Sequence, residues 1–378
     1  MNNIELTIEK LVHGGEGLAR LPADAAGRRE AVFVPFTLPG EQVRVEMEPR
    51  RRGRVTARLL EVLQPSPERI APGCEYFGVC GGCQLQHTSA AHQLQLKRGI
   101  LLETLQRTGG IVWGGEVALH AAEPWAYRNR IRVQAVPGVG VGYFMVNQRR
   151  MLPITHCPIA SPALNRGLAQ LAAEGAHRRE EVELAVDNQD RGLEEDAPLE
   201  FTVAHWRYRV SPGAFFQVNR FLATELVEAV IGGERGATAL DLFSGVGLFA
   251  LPLAENFARV EAVESNPEAV RDLRHNLRNA AAVEAVAASA LDCVRDRAPG
   301  DVDLVVADPP RAGLGPELTA ALIALAPRRL HLVSCDPATL GRDLRQLTGE
   351  GYRITELRLF DLFPQTAHIE TVVKLTRN

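Results

Sequence analysis

One cysteine lies where a predicted strand ends and a predicted helix begins. Cys335 follows the predicted strand Arg329–Ser334 and precedes Asp336 and Pro337. In open α/β sheets, ligands bind at the carboxyl ends of the strands. A cysteine in such a place is more commonly a small core hydrophobe, but the polar residues after it argue against deep burial. A helix N-terminus also lowers the pKa of a thiol, so the position predicts a thiolate nucleophile.

Two carboxylates could act with this thiol. Asp308 lies in the turn Ala307–Leu314, which contains two prolines that fix the backbone. Acidic-Pro-Pro turns accompany methyl transfer to planar nitrogen or carbon atoms of bases; an ordinary strand-end turn is the alternative. Glu370 precedes the predicted strand Thr371–Leu375 and is the candidate general base. A surface glutamate at a strand edge is the alternative for Glu370.

A glycine loop after another strand predicts a cofactor site. The segment Ala239–Ala250 is a hydrophobic strand that runs into Gly245 and Gly247. Glycine allows the backbone to approach a ligand at a helix N-terminus. Asp241 ends this strand, and Glu264 ends the next, where an acidic residue can bind both hydroxyls of a ribose.

Two cofactors are compatible with this segment, a dinucleotide and S-adenosylmethionine. The third glycine of a dinucleotide site is replaced by Ala250, a variant that this fingerprint allows. Asp241, however, suits the cationic amino acid end of S-adenosylmethionine better than a pyrophosphate. Asp292 could accept a hydrogen bond from the adenine amine, with a helix cap as the alternative. The segment therefore favours S-adenosylmethionine.

Four further cysteines form a separate set: Cys74, Cys80, Cys83 and Cys157. Four-cysteine sites hold zinc or iron–sulfur clusters. Zinc sites usually use two tight pairs, whereas here three cysteines lie close together and the fourth is distant. The pattern favours a [4Fe–4S] cluster, and unligated core cysteines are the alternative.

Three regions position these residues. Residues 1–62 contain short predicted strands and glycine turns, typical of a small barrel of the oligonucleotide-binding type. Residues 63–209 are mixed and hold the four-cysteine set and a predicted helix, Ser89–Arg107. Residues 210–378 alternate strands and helices, which predicts a doubly wound, mostly parallel α/β sheet of the Rossmann-like class.

The composition limits the function classes. The 378 residues are 46% hydrophobic, 23% are charged, and the net charge is −4. No apolar run reaches the ~18 residues of a membrane span, and the first residues do not resemble a signal peptide. We therefore expect a cytoplasmic protein without a membrane partner.

Two groups of arginines could nevertheless contact nucleic acid. One lies in a predicted turn between strands: Arg50, Arg51, Arg52, Arg54 and Arg58. For this group a solvated turn is the favoured interpretation. The other alternates along the predicted strand Arg128–Val136: Arg128, Arg130 and Arg132. Alternation places these three on one face, which is either an exposed sheet face or a phosphate-contacting surface.

Together these motifs resemble the RNA 5-methyluridine methyltransferase family over nearly the whole chain. The matching segments are Gly14–Arg20, Val32–Pro35, Pro39–Glu41, the four cysteines, Phe216–Asn219, the segment around Cys335 and His368–Glu370. Ser244, where cysteine is frequent, and Asp308, where some members have asparagine, are small departures.

The resemblance implies an N-terminal TRAM domain and a [4Fe–4S] cluster on Cys74, Cys80, Cys83 and Cys157. It also implies contacts to S-adenosylmethionine or uracil from Gln217, Glu264 and Asp308. Cys335 would add to carbon 6 of uracil, carbon 5 would be methylated, and Glu370 would remove its proton. The helix around residues 88–119 would pack on the catalytic domain.

The resemblance further implies an RNA substrate, and we expect the enzyme to be a monomer. 23S ribosomal RNA is favoured over the T-loop uridine of transfer RNA, and the sequence leaves this choice open. Two other functions are also open. One is methylation of an exocyclic base nitrogen, which needs no cysteine, and the other is RNA binding without catalysis.

Overall fold

The computed structural model describes residues 3–50, 53–192 and 197–377. Its N-terminal strands are β1 (Asn3–Thr7), β2 (Lys10–Leu11), β3 (Gly17–Arg20), β4 (Ala31–Val34), β5 (Gln42–Met47) and β6 (Ala57–Gln64). They form two antiparallel sheets, ordered β1-β5-β6 and β2-β3-β4, around one apolar core. Alternate residues of β4 and β5 point into that core, as period-2 patterning requires. The all-β prediction for this part is confirmed.

A helix and a short strand follow. Helix α1 (Ala90–Thr104) starts at Ser89, whose side chain accepts the His92 N–H, and continues as a π-helical turn, Leu105–Gly109. Gly110 ends it in the left-handed conformation, with φ of 68°. Strand β7 (Val117–His120) comes next. The helix predicted over Ser89–Arg107 is therefore present, with its last turn wound differently.

The four-cysteine region contains a small antiparallel sheet. Its elements are β8 (Arg130–Val136), β9 (Gly140–Phe144), β10 (Met151–Pro153), α2 (Pro162–Glu174) and β11 (Glu180–Ala185). The strand order is β10-β9-β8-β11, and α2 packs against β9 and β11. A separate hairpin, β12 (Leu199–Val203) and β13 (Trp206–Val210), leads into the C-terminal region.

The C-terminal region is a doubly wound α/β unit. Its elements are α3 (Ala223–Ile231), β14 (Gly236–Leu242), α4 (Ala250–Leu253), β15 (Phe257–Glu264), α5 (Pro267–Leu277), β16 (Val283–Ala287), α6 (Ala290–Arg295), β17 (Leu304–Ala307), α7 (Gly315–Leu325), β18 (Arg329–Ser334), α8 (Pro337–Gly349), β19 (Tyr352–Phe360) and β20 (Glu370–Arg377). Strand β17 is buried along its whole length, as expected when helices cover both faces of a parallel sheet.

The eight strands of this sheet have the order β16-β15-β14-β17-β18-β20-β19-β7. The first five are parallel, and β20 runs antiparallel between β18 and β19. Strand β7 pairs in parallel with β19, so a strand from outside residues 210–378 completes the sheet edge. The Rossmann-like α/β prediction is confirmed, although β16 and β19 were absent from the predicted strands. The predicted boundaries after residues 62 and 209 stay predictions.

In the described part of the chain, no helix has both the length and the apolar character needed to cross a membrane.

Candidate active site

The antiparallel pair β18 and β20 brings Cys335 and Glu370 together. Ser334, the last residue of β18, is paired with Thr371 of β20. Cys335 comes one residue after Ser334, and Glu370 one residue before Thr371, so the two lie beside each other at the same sheet edge. Cys335 is half-buried and Glu370 is buried. The structure thus places the predicted nucleophile and the predicted base in one site.

The electrostatic environment of Cys335 differs from the expectation. Burial first, and then the neighbouring Glu370, raise the pKa of the Cys335 thiol to about 11, although Arg311 acts in the opposite direction. The prediction that the helix N-terminus lowers this pKa is wrong for the free protein. The backbone N–H groups of Ala338 and Thr339 are already bonded to the Asp336 carboxylate, and burial outweighs the lowering by Arg311 and by the backbone.

Three carboxyl groups, which we call the acidic cluster, have raised pKa values: Asp241, Asp308 and Glu370. Burial raises the pKa of Asp308 to about 7. Burial, and then Asp308, raise the pKa of Glu370 well above its usual range. Burial is also the main cause that raises the pKa of Asp241 to about 8. Among the described residues, neither carboxylate oxygen of Asp241 has a hydrogen-bond partner. A cation placed here would favour ionisation of all three.

The glycine loop after β14 has the backbone that its sequence predicts. Gly245 and Gly247 have φ of 56° and 98°, in the region that favours glycine. The Gly245 N–H donates to the Glu264 carboxylate over 2.9 Å. The acidic residue at the end of β15 therefore lies beside the loop, where an acidic side chain can bind ribose hydroxyls.

The two remaining predicted cofactor residues lie in different settings. Asp292 is exposed, and its carboxylate accepts a 2.6 Å hydrogen bond from Ser289, the N-cap of α6. The cap of α6 is therefore Ser289, with Asp292 in the first turn of the helix, so the helix-cap alternative for Asp292 does not hold and its adenine contact stays a prediction. Gln217 is buried, and its carbonyl accepts from the Asn129 side chain. Its contact to the cofactor also stays a prediction.

The four predicted cluster cysteines line one cavity of about 500 Å³, the four-cysteine cavity. Cys83 is so surrounded that burial, aided by the other three thiols, raises its pKa to about 12. Within the described residues, no group of three or more His, Cys, Asp or Glu side chains has the geometry of a metal-ion site. Two buried guanidinium nitrogens on the lining residues, Arg128 Nε and Arg130 Nη2, meet no hydrogen-bond partner in the described ranges.

The alternating arginines face the same four-cysteine cavity. Arg128, Arg130 and Arg132 all line it, as their shared face predicts. Arg130 is buried, and Arg132 bonds Glu183 over 2.9 Å. The face that carries these arginines therefore lines the four-cysteine cavity. Neither of the two predicted alternatives, an exposed sheet face or a phosphate-contacting surface, describes it fully.

The arginines of the N-terminal turn are bonded to glutamates. Arg50 bonds Glu30 and Arg54 bonds Glu16, whereas Arg58 lies on β6 and bonds Glu46 of the neighbouring strand β5. These contacts agree with the favoured interpretation of a solvated turn. Arg51 and Arg52 lie outside the described residues.

A second cavity, of about 430 Å³, contains Cys335 and is called the Cys335 cavity. All three regions of the chain line it: His13 and Phe36, then Gln84 and Asn147, then Arg311 and His368. Arg311 Nη2 lies 3.2 Å from His368 Nδ1. The sequence analysis did not identify Arg311 as a functional residue, although its place directly after the Asp-Pro-Pro turn was a usable signal.

Comparisons with known proteins agree with this geometry. Residues 299–378 match the tRNA (Uracil-5-)-methyltransferase family model, residues 207–332 match the Methyltransferase small domain, and residues 2–60 match the TRAM domain.

Two relatives match the chain over almost its full length. A 23S rRNA (uracil(1939)-C(5))-methyltransferase of Alkalilimnicola ehrlichii is 34% identical, over 99% of this chain and 96% of the relative. An uncharacterized RNA methyltransferase of Aquifex aeolicus is 31% identical, over 98% of both chains.

A solved structure is also similar over the whole chain. The Pyrococcus abyssi tRNA (uracil-54, C5)-methyltransferase, in complex with S-adenosyl-L-homocysteine, is 25% identical, with a TM-score of 0.76. The match covers 99% of this chain and 100% of that one.

Proposed function

Because the chain belongs to the family of S-adenosylmethionine-dependent RNA uracil-C5 methyltransferases, we propose that it methylates carbon 5 of a uridine in RNA with Cys335 as nucleophile and Glu370 as base. The observation that carries the proposal is the pairing of β18 with β20, which puts a half-buried thiol beside a buried carboxyl group at the ligand-binding edge of the sheet.

The thiolate of Cys335 adds to carbon 6 of uracil, and the electrons of the carbon 5–carbon 6 double bond move toward the carbonyl at carbon 4. Carbon 5 becomes nucleophilic as a result. Bound S-adenosylmethionine supplies the methyl group that carbon 5 receives. Glu370 then removes the remaining proton from carbon 5, the double bond forms again, and the carbon 6–sulfur bond breaks to release the Cys335 thiolate.

Arg311 would stabilise negative charge at this site. It lowers the pKa of Cys335, against burial and Glu370, and it lines the same cavity. A guanidinium is charged throughout the working pH range. It can therefore favour the thiolate before addition and the developing oxyanion afterwards.

The residues that would hold S-adenosylmethionine fit a cationic ligand. Asp241 has two buried oxygens without partners among the described residues, and burying a carboxylate is costly unless a charge or donor meets it. We assign Asp241 and Asp308 to the cationic end. Gly245 would allow close backbone approach, and Glu264 would bind the ribose hydroxyls. Gln217 and Asp292 complete the proposed set.

We also propose that Cys74, Cys80, Cys83 and Cys157 hold a [4Fe–4S] cluster. Four thiols around one cavity match the donors that such clusters require. The free N–H groups of Arg128 and Arg130 suit the net negative charge of a thiolate-bound cluster. The proposed methyl transfer uses no electron from it, so its role would be structural or in RNA docking. Zinc is the alternative.

Iron, sulfide and zinc analysis of anaerobically purified protein tests this assignment, together with the visible absorption spectrum. We expect iron and sulfide in equal amounts, close to four of each per chain. Loss of both is expected in Cys83→Ser but not in Cys293→Ser, since Cys293 lies on α6, outside the four-cysteine cavity. One zinc per chain and no sulfide would contradict the proposal.

For the substrate we propose 23S ribosomal RNA, since a relative named for it is 34% identical over the full length. The second candidate is the T-loop uridine of transfer RNA, because a tRNA uracil-54 enzyme has the same fold at 25% identity.

We further propose a cytoplasmic monomer. One chain supplies all three regions that line the Cys335 cavity, and none of its six cysteines, all of which lie in the described ranges, is paired in a disulfide, which suits a reducing compartment.

The decisive experiment offers unmodified 23S ribosomal RNA and transfer RNA in parallel and measures 5-methyluridine by nucleoside mass spectrometry. We expect product in 23S ribosomal RNA, none with Cys335→Ala, and normal turnover with the control Cys293→Ala. Glu370→Gln should trap a covalent RNA adduct, because addition proceeds while proton removal fails. Product from Cys335→Ala would instead favour methylation of an exocyclic nitrogen. Failure to bind S-adenosylmethionine would favour RNA binding without catalysis.

A further inference from the structure

The segment 361–369, which directly precedes Glu370, is called the base loop. It is held by side chains from distant parts of the chain. Lys97 on α1 bonds Asp361 over 2.6 Å, the Asn219 side chain donates to Leu362 O, and the Tyr127 hydroxyl donates to Pro364 O. The position of the proposed base therefore depends on contacts from outside its own sheet.

The centre of the base loop has an uncommon backbone conformation. Gln365 has φ of 70°, in the left-handed region that costs energy for residues other than glycine. Its carbonyl accepts the N–H groups of both Gln84 and Leu85 over 3.0 Å. Its N–H donates to the Gln93 side chain over 2.8 Å. These bonds fix a conformation that the loop would not otherwise prefer.

Gln84 makes a second contact, closer to Glu370. Its side-chain oxygen accepts the Ala367 N–H over 3.1 Å, and its amide donates to Gly81 O over 3.0 Å. Gln84 directly follows Cys83, so this side chain links the four-cysteine segment to the base loop. The N-terminal sheets reach the same point. A Cβ atom on Gly15 would lie 2.9 Å from Ala367 Cβ and 3.3 Å from Gln84 Cβ.

We propose that Gln84 is a positioning residue that holds the base loop so that Glu370 meets the proton on carbon 5. This inference rests on the proposed function and assigns a residue that acts through Glu370. Addition of Cys335 and methyl transfer precede proton removal. A displaced base would therefore leave the first steps intact and slow only the release of Cys335 from the methylated ring.

The test compares two side chains of equal length at one position. Gln84→Met loses the acceptor for the Ala367 N–H, whereas Gln84→Glu keeps that acceptor, loses the donor to Gly81 O and adds a negative charge. Gln170→Leu is the control, because the Gln170 amide bonds Glu174 within α2. Each protein is mixed with RNA and labelled S-adenosylmethionine, and both RNA-linked protein and free methylated RNA are followed in time on denaturing gels.

We expect Gln84→Met to form the methylated adduct at the wild-type rate and to release it about 10- to 100-fold more slowly. A displacement of the base by about 1 Å can cost that factor. Gln84→Glu should release within about threefold of the unchanged protein, and Gln170→Leu should not differ. Normal release by Gln84→Met, or slower adduct formation without accumulation, would overturn the inference. If neither the unchanged protein nor Glu370→Gln forms an adduct, the proposed function itself fails.

Discussion

Ionisation of Asp241 should control cofactor binding. Its pKa is raised to about 8, mainly by burial, so only about one molecule in ten carries the ionised carboxylate at pH 7. A cationic ligand selects that form, and its apparent affinity falls by the fraction that is competent. Affinity for S-adenosylmethionine should therefore rise with pH below 8 and level off above it.

The size of this pH dependence follows from the pKa of Asp241. Between pH 5.5 and 7 the ionised fraction of Asp241 increases about thirtyfold, so the Kd should fall by at least about that factor. Asp308, whose pKa is about 7, adds to the effect in the same direction. This range also lies below the pH at which an α-amino group loses its proton. At pH 7, binding should release about one proton from Asp241.

Isothermal titration calorimetry in buffers with different ionisation enthalpies measures both quantities. Asp241→Asn should bind more weakly at pH 7 and lose most of the pH dependence. Its thermal stability should be nearly unchanged, because the native carboxyl group is mostly protonated there. Asp24→Asn, in a turn of the N-terminal sheets, is the control. A flat Kd from pH 5.5 to 7 with no proton release would refute the reasoning, as would a wild-type slope in Asp241→Asn.

Two further predictions concern the thiol and the buried ion pair. Arg311→Gln should raise the pH for half-maximal alkylation of Cys335 and Glu370→Gln should lower it, because Arg311 lowers and Glu370 raises the pKa of this thiol. Site-resolved mass spectrometry measures the alkylation rates. Unchanged midpoints would contradict the roles assigned to these two neighbours of Cys335. Lys97→Met should cost about 3–5 kcal/mol in urea unfolding, because it leaves Asp361 buried without its partner. In the control Arg28→Met, which breaks an exposed ion pair, the free energy of unfolding should change by less than about 0.5 kcal/mol. An equal loss of stability in both variants would show that burial of the Lys97–Asp361 pair does not matter.

Local patterns were sufficient to predict that Cys335 and Glu370 lie at strand ends. Cys335 directly follows β18 and Glu370 begins β20, both strands with a clear apolar pattern, and adjacent strands bring such ends together. The alternation of the arginines near β8 likewise predicted a shared face. It could not predict the cavity that this face meets, because the cavity is completed by the four cysteines.

Contacts between distant segments could not be predicted in this way. Gln84 and Ala367 are 283 positions apart, and Lys97 and Asp361 are 264 apart. No periodicity or spacing relates such residues, because each pair meets only after the central and C-terminal regions have packed together. The error about the thiol pKa has the same origin. The helix N-terminus is a local feature, whereas the burial that outweighs it comes from tertiary structure.

The raised pKa of Cys335 has a consequence for how the nucleophile is used. At neutral pH the thiol of the free protein is protonated, because its pKa is about 11. Oxidation of cysteine follows its thiolate character and its exposure, so a protonated, half-buried thiol is protected while no substrate is bound. Arg311 and a bound sulfonium both favour the thiolate, whereas an ionised Glu370 opposes it. In the proposed mechanism, a bound cationic cofactor would favour the thiolate and, through the acidic cluster, also the ionisation of Glu370, so its binding would prepare the nucleophile and the base together.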